Sequence, residues 1–158
     1  ILRIVRYLNT DLFTPRIYVV ASSDDKSVTK IIETEKRSET YCIVRIPRSR
    51  KVHQSYISSV FTTLYSLLCS VPIMLSNRPD LVLCNGPGTC VPICVLAFLM
   101  RVLFISDNAI IFVESICRVK TLSLTGKILY YFADHLLVQW PELSSIYSRT
   151  TFIGDIKL

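Results

Sequence analysis

Glycine is scarce in this chain, with four among 158 residues, and two of the four, Gly86 and Gly88, stand almost side by side. That scarcity excludes glycine-rich linkers and low-complexity tracts. Histidine is scarcer still. His53 sits in a basic stretch and His135 in or beside an apolar run, and neither is spaced as a metal ligand or catalytic base. The six cysteines, Cys42, Cys69, Cys84, Cys90, Cys94 and Cys117, include no Cys-x-x-Cys pair. Cys90 and Cys94 are one helical turn apart, but no second pair or suitably spaced histidine joins them, so no metal is expected. The pattern suits buried free thiols in a reducing compartment. Gly-x-Ser-x-Gly, Walker and paired-carboxylate motifs are all missing, which removes the best-marked hydrolase and nucleotide-triphosphate classes.

Acid is missing from one long window. Between Glu39 and Asp80 there is no Asp or Glu, while Arg45, Arg48, Arg50, Lys51 and Arg78 fall inside it and carry most of the net charge of +6. The run Arg45-Ile46-Pro47-Arg48-Ser49-Arg50-Lys51 lies where an apolar strand passes into a loop. In an open α/β sheet that is the ligand-facing edge. Three readings compete: a solvated basic loop, a contact for an anionic membrane surface or lipid pyrophosphate, and a nucleic-acid contact. The last is disfavoured, because no aromatics are interleaved with the charges.

Half of the residues are hydrophobic and the mean hydropathy is +0.44, high for a soluble domain. The length suits one domain with a sizeable core, residues 1–158. Ile1, Leu2, Val5 and Leu8 already have helical spacing, so a strand and loop upstream of Ile1 are expected to be missing from this sequence. Strands are expected at Ile17–Val20, Tyr41–Ile46, Leu81–Cys84, Ala109–Val113, His135–Val138 and Thr151–Ile153. Helices are expected at Ser27–Glu35, Gln54–Asn77, Pro87–Leu103, Thr121–Phe132 and Pro141–Tyr147. This alternation predicts an α/β fold, a Rossmann-like parallel sheet with helices on both faces.

The charge-free segment Gln54–Asn77 is long enough to span a bilayer. Its pattern predicts a crossover helix instead. Ile57, Val60, Phe61, Leu64, Leu68 and Val71 form an apolar stripe, expected to face inward. Ser58, Ser59, Thr62, Thr63, Ser66 and Ser70 form a polar stripe opposite. An uncharged Ser/Thr face is unusual against water and suits a membrane surface or a partner.

Two segments carry the candidate chemistry. Pro79 to Pro92 reads as a short buried strand, a glycine turn and a helix start. Asn85, Gly86, Pro87, Gly88 and Thr89 then place backbone N–H groups and a helix N-terminus at the sheet edge, suited to an anion or sugar, or simply a tight βα turn. In Val113-Glu114-Ser115-Ile116-Cys117-Arg118, Glu114 follows an apolar strand directly and is expected beside that turn with Ser115. The carboxylate is placed to orient a hydroxyl, to accept a proton, or to form a structural ion pair with Arg118.

These segments, together with Gly126-Lys127-Ile128-Leu129 and Val138-Gln139-Trp140-Pro141, closely resemble the membrane-anchoring subunit of the two-part UDP-N-acetylglucosamine transferase of asparagine-linked glycosylation. The resemblance runs in order along nearly the whole chain. It implies the acceptor-side, N-terminal half of a GT-B glycosyltransferase, similar in plan to the bacterial enzyme that glycosylates a lipid-linked cell-wall precursor. The implied reaction adds the second, β1,4-linked N-acetylglucosamine to N-acetylglucosaminyl-diphosphodolichol, with inversion, at the cytosolic face of the endoplasmic reticulum or nuclear envelope. The implied partner is a cytosolic subunit that holds UDP-N-acetylglucosamine. No cofactor is implied.

The resemblance makes Glu114 and Arg118 candidate catalytic residues, and Asn85, Gly86, Pro87, Gly88, Thr89 and Ser115 candidate acceptor contacts. Arg45, Arg48, Arg50 and Lys51 become candidate membrane or pyrophosphate contacts. Phe152, Ile153, Ile156 and Leu158, near an apolar C-terminal tail, become candidate partner contacts. The family's N-terminal membrane helix and Gly-Gly-His-Thr loop have no counterpart in these 158 residues. The alternative is a noncatalytic scaffold that recruits the donor-binding subunit to the membrane.

Overall fold

The computed structural model describes residues 2–9, 12–36, 40–49, 56–86 and 88–154. The element order is α1 (Leu2–Val5), β1 (Arg16–Ala21), α2 (Asp25–Thr34), β2 (Tyr41–Ile46), α3 (Tyr56–Asn77), β3 (Leu81–Asn85), α4 (Cys90–Val102), β4 (Ala109–Val113), α5 (Leu124–Leu129), β5 (His135–Val138), α6 (Pro141–Ile146) and β6 (Thr150–Phe152). All strand pairs are parallel, and helices connect successive strands, as the alternation predicts.

Hydrogen bonding divides the strands into two groups. β1 pairs with β2 from Arg16↔Tyr41 to Ala21↔Ile46. The other four run in the order β3-β4-β5-β6, with Leu83 opposite Ile111, Phe112 opposite Leu136 and Val138 opposite Phe152. β1 and β3 are therefore both edge strands, and both line one cleft of about 1080 Å3.

The core lies on one face of the larger sheet. Val82, Cys84, Ile110, Phe112, Leu136 and Val138 point there and meet Ile93, Ala97 and Met100 of α4 and Leu129 of α5. The intervening Leu83, Ile111 and Leu137 are half-buried. This alternation in parallel strands means that the opposite face is covered less completely. Arg101, the charge inside the apolar α4, is neutralised in place. Its guanidinium donates to Asp134 at 2.7 and 2.8 Å, and Asp134 also accepts the Ile110 N–H at 2.8 Å. Burial pushes the Asp134 carboxyl up, but the Ile110 amide and Arg101 outweigh it and hold the carboxyl below its ordinary value.

The long helix forms, but its faces are reversed from expectation. Ser66 and Ser70 are 0% exposed, whereas Phe61 is 69% and Leu68 61% exposed. Val60 and Leu64 are exposed as well; Val71 packs against the core, and the side chain of Ile57 lies outside the described residues, as does the expected helix start at Gln54. The reason is local. Ser70 donates to the Ser66 carbonyl at 2.7 Å, Ser66 to the Pro47 carbonyl at 2.9 Å, and Thr62 to the Ser49 carbonyl. Small hydroxyl residues that satisfy themselves on backbone carbonyls can be buried without loss, and they let helix and neighbour approach closely.

Helix α5 is shorter than the expected Thr121–Phe132. Ser123 stops it at its N-terminus, accepting the Gly126 N–H at 2.9 Å as an N-cap.

Candidate functional site

The site grows from the carboxyl end of β3. Asn85 closes the strand, and its side-chain amide donates to the Val113 carbonyl at 3.2 Å, tying the turn to β4. Gly86 then takes φ +75°, a left-handed conformation that favours glycine. A Cβ on Gly86 or Gly88 meets nothing within 4 Å, so Gly86 is required for its backbone angle, and Gly88 has no such constraint. Pro87 lies outside the described residues. Thr89 precedes α4, a thirteen-residue helix, without a side-chain capping bond; the Val91 N–H donates to the Gly88 carbonyl at 3.1 Å, and Pro92 has no N–H.

Cys90 begins that helix at the cleft wall, close to Cys84. The neighbouring Cys84 thiol holds Cys90 below its ordinary pKa, while both neighbouring thiols, Cys94 at 3.1 Å among them, and burial push Cys84 well above. Among the described residues, no group of three or more His, Cys, Asp and Glu is arranged to hold a metal ion.

Asn85, Gly88, Thr89, Ser115 and Arg48 all line the cleft, as do Asp24 and Ser27, whereas Gly86 is not among its lining residues. Arg48 helps hold the Asp24 carboxyl below its ordinary pKa, although the main cause is the Ser27 hydroxyl, followed by the Ser27 amide. Arg45 points elsewhere. It pairs with Asp25 at 2.8 Å and donates to the Ser22 carbonyl, so part of the basic run is neutralised within the fold. Arg50 and Lys51 lie outside the described residues.

Glu114 stands directly after β4 at the sheet edge, as expected, but its carboxylate is buried. It is 0% exposed and is not part of the cleft wall. Its Oε1 accepts the Ser115 N–H at 2.8 Å, and its Oε2 accepts both the N–H and the hydroxyl of Ser123. Among the described residues no ion pair joins it to Arg118, which stands exposed in the following turn. The ion pair with Arg118, one of the three readings of Glu114, is not formed, and backbone amides take both carboxylate oxygens instead. What the sheet edge offers the cleft is Ser115.

Gln139 is the residue that sequence reasoning missed. It lies just past β5, buried, and lines the cleft. Its Nε2 donates to the Glu114 carbonyl at 3.2 Å, while its Oε1 has no partner among the described residues. A buried, unpaired amide oxygen is costly and rare, and it marks a place where a ligand donor would be welcome. The signal was present in the sequence: a polar residue directly after an apolar strand, one step from Trp140. Phe152 is half-exposed on β6 and Ile153 follows it, while Ile156 and Leu158 lie outside the described residues.

Parallel strands that end at a glycine turn, a helix N-terminus and a buried amide define a Rossmann-like α/β protein with its cleft at the strand ends. The family model described as "Oligosaccharide biosynthesis protein Alg14 like" matches residues 1–156, and the chain belongs to that family. It is 50% identical to the UDP-N-acetylglucosamine transferase subunit ALG14 of Mus musculus, over 99% of this chain and 76% of the mouse protein. The subunits of the same name from Homo sapiens and Schizosaccharomyces pombe are 48% and 43% identical, over 99% and 98% of this chain and 76% of each relative. No solved structure matches.

Proposed function

We propose that this chain is the acceptor-side subunit of a UDP-N-acetylglucosamine transferase, the N-terminal half of a split GT-B enzyme. It binds N-acetylglucosaminyl-diphosphodolichol at the cytosolic face of the endoplasmic reticulum. A separate donor subunit brings UDP-N-acetylglucosamine, and the acceptor hydroxyl attacks the anomeric carbon with inversion as UDP leaves. Family membership and the names of its relatives support the transferase and the existence of a partner.

One observation carries the assignment of the acceptor to this cleft. Arg48 lines the same cleft as Asn85, Gly88, Thr89, Ser115 and Gln139, whose buried Oε1 has no partner among the described residues. A guanidinium suits a diphosphate, and an amide oxygen suits a sugar hydroxyl or acetamido N–H. In this reading Glu114 works by position, holding the backbone that carries Ser115. The scaffold alternative draws support from that same burial of Glu114, which leaves the β4 end of the cleft without a carboxylate.

The test is radiolabelled transfer with short-chain lipid diphosphate, using this chain alone, with donor subunit, and as Gln139→Leu with donor subunit. The chain alone transfers nothing, and Gln139→Leu lowers transfer about tenfold or more with partner capture unchanged, the cost expected when a bound donor loses its acceptor. Full turnover by Gln139→Leu defeats the acceptor assignment, and turnover by this chain alone defeats the split enzyme.

A further inference from the structure

Helix α3 turns apolar side chains to the outside from Val60 to Leu75. Phe61, Leu64, Tyr65, Leu68 and Leu75 recur at positions 0, +3, +4, +7 and +14 of one stripe, and all are exposed. The opposite stripe, Thr63, Ser66, Leu67, Ser70, Val71 and Met74, is the one that is buried or half-buried. Helix α4 packs against α3, and at its own C-terminal end Val102, Leu103 and Phe104 are exposed, the last 97%. Single exposed apolar residues are ordinary on a soluble protein; an uninterrupted helical stripe of them is an interaction surface.

The charge around this face says what covers it. Helix α3 carries no charged residue, and Asp and Glu are absent from positions 40–79, while Arg48 precedes the helix and Arg78 follows it, both exposed. An apolar stripe in a segment whose charges are all cations matches an anionic lipid surface, with acyl chains under the stripe and headgroups at Arg78. Tyr65 fits the same plane, with an apolar ring and a polar tip.

By length and composition Ser58–Asn77 also reaches across a bilayer. Its inner face is already committed, however. Ser66 is bonded to the Pro47 carbonyl and Met74 sits in the core. Spanning would tear those groups out, and lying flat preserves them.

We propose that α3 is an in-plane membrane-docking helix that seats this chain on anionic bilayers through the Phe61–Leu64–Leu68 stripe. The proposal builds on the membrane-side reading above. Its assay contains no sugar nucleotide, so its failure and the failure of the transferase reading are told apart.

The experiment is flotation of the full chain with phosphatidylcholine vesicles, with and without phosphatidylserine. The wild-type chain floats with the phosphatidylserine vesicles, and added salt weakens this. The combined variant Phe61→Ser, Leu64→Ser and Leu68→Ser binds about tenfold more weakly or worse, with its melting temperature kept, because these side chains bury little in the fold. Ile32→Ser, an exposed apolar residue on α2 away from α3, binds as wild type. Should the combined variant misfold, Phe61→Ser and Leu64→Ser singly show the same direction. Vesicle binding that survives loss of the stripe overturns the proposal. So does a wild-type chain that ignores phosphatidylserine vesicles but dimerises through the stripe in free solution, which would make a second copy the occupant.

Discussion

Glu114 and Ser123 are joined twice: the Ser123 N–H and the Ser123 hydroxyl both donate to Glu114 Oε2, at 2.8 and 3.0 Å. The same hydroxyl accepts the Gly126 N–H, so one buried carboxylate sets the start of α5. Glu114→Gln replaces an acceptor with an NH2 group that must face an N–H donor. The expected cost is about 1–3 kcal/mol of stability, read from urea unfolding. Gly126→Ala should cost at least as much, because its Cβ would collide with Glu114 Oε2. A purely catalytic Glu114 makes the opposite forecast: unchanged unfolding in Glu114→Gln with transfer lost.

The two glycines of the turn should behave differently. Gly86→Ala forces a Cβ into φ +75° and is expected to cost about 1–2 kcal/mol. Gly88 lies outside the left-handed region with open space around it, so Gly88→Ala should fall within about 0.5 kcal/mol of wild type. Equal urea midpoints for the two variants would remove the backbone argument.

The strands were legible because apolar runs such as Ala109–Val113 and His135–Val138 are short and end abruptly, and both boundaries came out as expected. The glycine turn was legible too, since Gly86 stands where a strand must reverse into a helix. The orientation of α3 was not. Pattern reading assumes that apolar residues face inward, and here hydroxyls satisfied on the Pro47 and Ser49 carbonyls take the inner face. The fate of Glu114 was hidden for a related reason. Its partner Ser123 is nine residues on, whereas sequence spacing offered the pair with Arg118 as one of three readings.

Glu35 and Arg16 link the end of α2 to the start of β1, with Nη2 to Oε2 at 2.8 Å and Nε to Oε1 at 2.9 Å, and both side chains are largely buried. Tyr18 also donates to Glu35. The Arg16 hydrogen bonds hold the Glu35 carboxyl below its ordinary value, against burial. A carboxyl lowered in the folded state binds its proton more readily when unfolded. Its contribution is therefore complete above the unfolded glutamate value of about 4.3 and is lost as pH falls through the lower folded value. Glu35→Gln should lower stability at neutral pH by about 1–3 kcal/mol, with the difference from wild type shrinking below about pH 4. Urea midpoints across that range check both the size and the sign.

The last strand separates what belongs to the fold from what is free to bind. Thr150 is buried, Phe152 lies opposite Val138, and the Ile153 N–H donates to the Val138 carbonyl at 3.1 Å. Residues 150–153 therefore complete the sheet. Yet β6 is an edge strand, and the Phe152 ring is half-exposed on it. An exposed ring on a sheet edge, followed by a tail with apolar Ile156 and Leu158, suits a docking point for the donor subunit. Deleting residues 154–158 should leave unfolding within about 0.5 kcal/mol of wild type, since no strand pairing among the described residues is removed. Capture of the donor subunit should fall by about tenfold or more, and Phe152→Asp should do the same, each a loss of about 1.4 kcal/mol or more in binding. Co-purification and titration with the donor subunit read both variants. Wild-type capture by the truncated chain and by Phe152→Asp would move the docking surface away from this edge, whereas a large fall in stability on truncation would make the tail part of the fold.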